Sequence, residues 1–203
     1  MEKETTRLEA FSDGVFAIAI TLLILEIRVP ELAEATNRGL LSSLGHLWPS
    51  FVAFVLSFFV VLLIWINHHE LFRMVQKADR VLFFSNGALL LMVTFVPFPT
   101  AMLARYFGTP AANTAAAFYC ATFLVASIFH NLLLESVVRN RRLLRADISN
   151  QEITRLRRSY QFGLAVYTLS VVVAIWSAIA GLAIASALWI RWATLRYQTA
   201  RRA

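Results

Sequence analysis

The chain has 203 residues, of which 59% are hydrophobic, and it carries a formal net charge of +7. Several uncharged runs exceed 20 residues, which is typical of integral membrane proteins and excludes an ordinary soluble globular protein. So basic a chain would suggest nucleic acid as a partner, but its cations cluster in short connections between apolar runs, so no nucleic acid is expected. The single cysteine, Cys120, excludes a disulfide framework and a cysteine metal cluster.

The first apolar segment, residues 7–30, carries charge where a simple membrane anchor would not. Its uncharged part, residues 14–25, is only about 18 Å long as a helix, against a hydrocarbon core of about 30 Å. A helix over residues 8–27 has the required length and places Ser12, Asp13 and Thr21 inside the membrane. Polar groups at that depth are costly and indicate function.

One face of this predicted helix carries a charge at its start and is apolar beyond it. At about 100° per residue, that face carries Arg7, Phe11, Gly14, Ile18, Leu22 and Leu25. Thr21 lies at its margin, and Asp13 points almost opposite to Ile18. If several copies of the helix surround an axis, Ile18, Leu22 and Leu25 form stacked apolar rings that constrict a pore. The alternative is that they are ordinary lipid-facing or core residues.

The same segment carries a recognisable motif. The motif is an Arg, three residues, Phe-Ser-Asp, and then an Ile with a Thr three residues later. Its members here are Arg7, Phe11, Ser12, Asp13, Ile18 and Thr21. In this the chain resembles the transmembrane protein 175 family of endolysosomal and prokaryotic potassium channels, and Trp65 and His68 add weaker similarity. The length is similar to that of the prokaryotic single-repeat members. The resemblance implies a homotetramer in the cell membrane, the prokaryotic plasma membrane, with Ile18 as the constriction.

The polar residues near this helix allow two interpretations each. Thr21 either offers its hydroxyl to a partly hydrated ion or bonds to a carbonyl one turn back. Asp13 and Arg7 are too far apart along one helix to pair directly, so His68 or His69 is the expected partner. We predict a structural polar network, with a proton relay as the alternative. The members of the predicted network are Arg7, Ser12, Asp13, Trp65 and His68.

The histidines also stand beside Glu70, but no metal site is expected, because adjacent histidines on a helix point about 100° apart. The basic residues 139–158 either bind anionic lipid head groups or form an ordinary connection of the kind that cytoplasmic loops contain.

The remaining helices are predicted from the uncharged runs. Pro97 and Pro99 should bend or end the third helix, and residues 29–46 are expected to be a loop with an interfacial helical turn. The last run, residues 159–190, would be about 48 Å long as one helix, so a hairpin near residues 178–181 is predicted. The spans after the first are then residues 47–67, 81–104, 111–134, 159–178 and 181–195.

These spans define the predicted fold. It is an all-α integral membrane protein with six transmembrane helices in one domain, residues 1–203, and helix 1 lines a central pore of a homo-oligomer. With six crossings, 16 of the 19 Lys and Arg residues fall on one side, which places both termini in the cytoplasm.

The function predicted is a potassium-permeable cation channel in the lipid bilayer, with an apolar constriction and no TVGYG-type carbonyl filter. The alternative is a proton- or cation-coupled secondary transporter using Asp13 and His68 or His69. An enzyme is not expected, because the sequence contains no HExxH, phosphate-binding loop or nucleophile elbow. No cofactor is expected either.

Overall fold

The computed structural model describes residues 2–32 and 35–188, and within these ranges the protein is built from helices. Helix α1 (Glu2–Leu22) continues into a 3₁₀ turn (Leu23–Glu26). The helices that follow are α2 (Asn37–His46), α3 (Trp48–Phe72), α4 (Arg80–Phe95), α5 (Pro97–Tyr106), α6 (Ala112–Arg139) and α7 (Asn150–Ala174). The last helix among the described residues, α8, is Ala178–Leu188.

Four helical segments are long and apolar enough to cross a membrane. They are Glu4–Glu26, Trp48–Phe72, Arg80–Tyr106 and Ala112–Arg139. The chain is thus an all-helical, multi-pass membrane protein, as predicted. The prediction of six transmembrane helices is wrong for the described residues.

The error arose from the long uncharged run, residues 159–190. The structure divides this run at residues 175–177, before the predicted hairpin. The uninterrupted uncharged run of α7 is residues 159–174, so its apolar part spans about 24 Å and does not reach across a core of about 30 Å. The predicted final helix, residues 181–195, extends partly outside the described residues. The cytoplasmic placement of both termini was argued from six crossings and stays a prediction.

Several helices continue beyond their apolar runs into polar sequence. Helix α1 begins at Glu2, α6 continues to Arg139, and α7 begins at Asn150. The start of α7 has a local cause, because Ser149 and Glu152 form a capping box in which each side chain bonds to the other residue's backbone. Hydropathy marks the part of a helix that is within the membrane, and capping determines where the helix begins.

Two prolines interrupt the third membrane segment. Pro97 and Pro99 have no backbone N–H, so they cannot bond to the carbonyls of Val93 and Phe95. Helix α4 accordingly ends at Phe95, and α5 begins at Pro97 after a break at Val96. A chain of buried hydroxyls supports this break: Thr100 donates to the Val96 carbonyl at 2.8 Å and lies 2.6 Å from Ser57 of α3. The break was predicted from the prolines.

The packing of α1 determines the position of the candidate site. Helix α1 lies against α3 and α4, and the 3₁₀ turn after it contacts α3 and α5. At the N-terminal end of α1, two connections are joined by main-chain hydrogen bonds, from the Gln76 N–H to the Leu143 carbonyl at 2.7 Å and from the Arg145 N–H to the Met74 carbonyl at 3.0 Å. The two bonded connections therefore form a fixed platform at the N-terminal end of α1.

Candidate pore face and its polar support

Helix α1 has one buried face and one exposed face. The buried face repeats at intervals of three and four residues and is formed by Leu8, Ser12, Phe16, Ala19 and Leu23. On the other face Phe11 is 65% exposed, Ile18 60% and Leu25 67%. An apolar face this exposed at membrane depth can contact lipid or another copy of the chain.

The 3₁₀ turn changes the spacing of the three predicted constriction residues. Ile18 and Leu22 lie on α1, and Leu25 lies on the turn Leu23–Glu26. A 3₁₀ helix has three residues per turn and rises about 2.0 Å per residue, so Leu25 returns to the side of Leu22. The three residues extend over about 12 Å, rather than the 10 Å expected for a continuous α-helix. The helical projection missed this because it assumed a single period.

Thr21 lies at the margin of the exposed face. Its hydroxyl donates to the Ile18 carbonyl at 2.9 Å, which is the bond to the preceding turn that the sequence offered as one alternative. A hydroxyl oxygen that donates its proton keeps its lone pairs. The Thr21 hydroxyl oxygen can therefore still coordinate a cation.

Behind α1, a buried network joins three helices. Ser12 donates to the Leu8 carbonyl at 2.8 Å and accepts from the Asn86 amide at 2.9 Å. The Asn86 carbonyl oxygen lies 2.7 Å from His68 Nε2, and because this oxygen can only accept, Nε2 carries the proton. All three side chains are almost fully buried. The network fastens the buried side of α1 to α3 and α4.

Asp13 is held by a tryptophan and not by either predicted histidine. The Trp65 indole N–H donates to Asp13 Oδ1 at 2.8 Å. His69, one turn further along α3, lies with Nδ1 3.2 Å from Glu9 Oε1, one turn back on α1. Two acidic residues of α1 thus face two ring nitrogens of α3 in matching register.

Arg7 joins none of these contacts. It is exposed, and its side chain makes no ion pair among residues 2–32 and 35–188. The structure therefore brings Ser12 and His68 into one group and Asp13 and Trp65 into another, and leaves Arg7 apart. The two histidines face different partners, and the described residues contain no group of three potential metal ligands.

The sequence-based reasoning missed Asn86 and Glu9. Asn86 is the only Asn, Gln or His in the uncharged run 81–104, and such a residue in a membrane helix requires a partner. That signal was sufficient to suggest Asn86 as a network member. Glu9 was less visible, because a carboxylate near the end of a membrane helix is ordinary.

Comparison with known proteins identifies the family. Residues 7–97 match the model of the family described as endosomal/lysosomal potassium channel TMEM175. A protein of Chamaesiphon minutus named as a potassium channel is 47% identical over 169 residues, which cover 83% of each chain. The chain belongs to the TMEM175 family.

Two further comparisons extend the match beyond the first helices. A protein of Streptomyces collinus, also named as a potassium channel, is 43% identical over 178 residues, covering 86% of this chain and 84% of the relative. The crystal structure of a Chamaesiphon minutus TMEM175 homologue, described as a lysosomal potassium-selective channel, superposes with a TM-score of 0.85 at 42% identity, over 95% of this chain and 97% of that one. The resemblance to TMEM175 inferred from α1 is confirmed and extends through α7.

Proposed function

We propose that this protein is a potassium channel whose pore is lined by α1. It belongs to a family named for potassium channels, and relatives of similar length carry that name. Within the chain, the supporting observation is the apolar face of α1, which is left uncovered along Phe11, Ile18 and Leu25 while the opposite face is packed.

Conduction through α1 requires several copies of the chain. A single helix cannot enclose a path, and a symmetric ring places the same face of each subunit toward the axis. We propose that four subunits form this ring in a cell membrane and that residues 1–203 act as one channel domain. The exposed apolar face of α1 suits such a ring because its side chains become covered on assembly.

Within the ring, Ile18, Leu22 and Leu25 form the constriction. Their branched aliphatic side chains offer no oxygen to an ion, so passage depends on how much hydration water the ion gives up. Potassium sheds water at lower cost than sodium, which favours potassium without a carbonyl filter. Thr21, beside Ile18, supplies a hydroxyl oxygen to an ion that approaches the narrowest ring.

The transporter alternative is not favoured. It requires Asp13 and a histidine to exchange protons or cations with a substrate path. Asp13 instead accepts a hydrogen bond from Trp65, and His68 is fully buried against Asn86 on the side of α1 opposite Ile18. These contacts are those of groups that fasten helices together.

The test is a potassium flux assay with the purified protein in liposomes. A potassium gradient is imposed, and a membrane-permeant anion relieves the charge that accumulates, so that proton gradients are preserved. A channel produces flux that needs no second substrate and grows with the gradient. Flux that appears only when a proton or sodium gradient is supplied as the driving force would refute the channel proposal.

A further inference from the structure

An open cavity of about 580 Å³ lies at the N-terminal end of α1. Its walls come from the first turns of α1, from the connection that follows α3, and from the connection between α6 and α7. The bonds between Gln76 and Leu143 and between Arg145 and Met74 fix the two connections to each other. The cavity is therefore formed before any ligand arrives, and its size is that of a small-molecule site.

Cationic side chains from both connections line the cavity. They are Arg73 and Lys77 after α3 and Arg145 before α7. The Lys77 ammonium makes no ion pair with another described residue. Arg73 lies 3.8 Å from Glu70, and Arg145 lies 3.3 Å from Asp147, in exposed pairs. Exposed pairs of this kind hold their partners weakly, so the guanidinium groups remain available.

The carboxylates of the cavity do not cancel this charge. Two carboxylates, Glu9 and Asp147, line the cavity against three cations, which leaves the lining with one more cation than anion. Glu9 also lies beside His69, and Asp147 pairs with Arg145. Around the cavity, residues 73–80 and 139–158 contain ten Lys and Arg against three Asp and Glu. A concave surface with such a surplus concentrates anions.

The cavity also lies at the membrane boundary. The candidate span Glu4–Glu26 starts beside it, and the span Trp48–Phe72 ends beside it. Its cations are therefore at the depth of lipid head groups, and they are also open to water. Guanidinium and ammonium groups from two segments suit a tetrahedral oxyanion with several charged oxygens.

We propose that this cavity binds a phosphate group, carried by an anionic lipid head group or by a soluble phosphate compound. The phosphate bridges Lys77 and Arg145 and so joins the two connections beside Thr5 and Thr6 of α1. The bound group thus ties the start of the pore-lining helix to the platform. The site does not depend on how ions pass Ile18.

The experiment measures thermal unfolding of the detergent-purified protein. Mixed micelles contain phosphatidylcholine alone or with increasing phosphatidylglycerol, and inorganic phosphate and glycerol phosphate are titrated separately. Binding to the folded state raises Tm by a few degrees at saturation. A response to phosphatidylglycerol alone identifies lipid as the source, and a response also to glycerol phosphate identifies a soluble one. No rise with any of these probes would overturn the proposal.

Matched variants separate the cavity from general basic charge. Each cation near a membrane surface contributes about 1 kcal/mol, so Lys77→Gln and Arg145→Gln should each weaken half-saturation about fivefold, and the double variant about 30-fold. Lys77→Arg should keep the response. Arg142→Gln is the control, because Arg142 is exposed in the same connection but does not line the cavity. Equal losses in Arg142→Gln and Arg145→Gln would reject the site, whether or not the double variant folds.

Discussion

Phe16 and Ile18 lie two residues apart on α1, and their surroundings differ in kind. Phe16 is buried against the His68 ring at a centroid distance of 5.3 Å, while Ile18 faces outward with 60% of its surface exposed. Substitutions on the two sides should therefore have separable effects. Changes near Phe16 should lower stability, and changes at Ile18, in the proposed constriction, should alter the ion preference.

The first prediction concerns Ile18. Ile18→Asn places polar groups on the narrowest ring, so hydrated ions pass and the permeability ratio of potassium to sodium falls toward about 1. Current should rise at the same time. Ile18→Met, of similar volume, should change both quantities much less. Reversal potentials under opposed potassium and sodium gradients measure the effect.

The control for Ile18 uses the same substitution at another exposed position. Ile128 lies on α6 with 41% exposure, and α6 has no substantial contact with α1. Ile128→Asn should leave the permeability ratio unchanged. If Ile18→Asn assembles normally and retains the wild-type current and ratio, the constriction is elsewhere.

The second prediction concerns Asn86, which bonds to both Ser12 and His68. Asn86→Ala removes the partner of buried His68 Nε2 and one of the two hydrogen bonds of Ser12, and we expect a loss of about 1–3 kcal/mol in the free energy of unfolding. The ion preference should not change, because this network lies behind the proposed pore face. Thermal unfolding in detergent gives the first quantity, and reversal potentials give the second.

Asn131→Ala is the matched control for Asn86→Ala. Asn131 is half-buried, and its amide donates at 2.9 Å to the Ser127 carbonyl one turn back in the same helix and at 3.4 Å to the Tyr160 carbonyl of α7. The longer bond is the only one to another helix and both acceptors are backbone carbonyls, so the loss of Asn131 should have a smaller effect on unfolding. An Asn86→Ala protein with unchanged Tm and an altered potassium preference would place the network in the ion path.

At the scale of elements, α7 and α8 form a hairpin held by a glycine and an asparagine. A Cβ at Gly181 would lie 2.5 Å from Ala174 Cβ, so the helices touch backbone to backbone. Asn113 of α6 fixes the turn, donating to the Trp176 carbonyl at 3.1 Å and accepting from the Ala178 N–H at 2.9 Å. The approach at Gly181 determines how closely α8 packs.

The third prediction compares two glycines of this hairpin. Gly181→Ala forces α8 away from α7 and should destabilise the protein by about 1–3 kcal/mol. Gly163→Ala, within α7, meets no atom within 4 Å and should be neutral or stabilising by up to about 1 kcal/mol, since alanine favours a helix over glycine. The difference in Tm between the two variants measures the effect. Equal Tm values would mean that α8 does not pack on Ala174 as described.

Hydropathy and proline position predicted where the apolar helices lie, because both act within a few residues. They identified α1, α3 and α6 and the break at Val96. They did not reveal that the helices continue into charged sequence. Where a helix begins depends on capping bonds, such as those of Ser149 and Glu152, and not on hydropathy. Uncharged length also predicted too many spans. The first turns of α7 carry charged residues, so the apolar part of this helix is too short to cross the membrane.

At the scale of the whole molecule, the sequence was most informative where one local period applied. The exposed and buried faces of α1 followed from a period of about 3.6 residues. The pairing of Asp13 with Trp65, and not with a histidine, depends on the rotation of α3 against α1. No local pattern encodes that rotation. The sequence can therefore limit the candidate partners of a buried polar group, but it cannot identify which candidate the group bonds to.

The last prediction concerns assembly. If α1 surrounds a shared axis, the same residue of different subunits lies close together, as the symmetry of a ring requires. Leu25→Cys, near the end of the candidate constriction, should form disulfide-linked dimers under mild oxidation in membranes. The change is made in a Cys120→Ala background, because Cys120 is the only natural cysteine and is buried.

Ile128→Cys in the same background provides the comparison, since the proposed ring leaves that side chain on lipid. It should stay monomeric on non-reducing gels, while chemical crosslinking of both variants should end at the same closed oligomer. A tetramer gives a ladder that stops at four subunits. If Leu25→Cys forms no dimer while the ladder is intact, the subunits associate through another surface, and α1 does not line the axis. A protein that conducts potassium as a strict monomer would exclude the ring altogether.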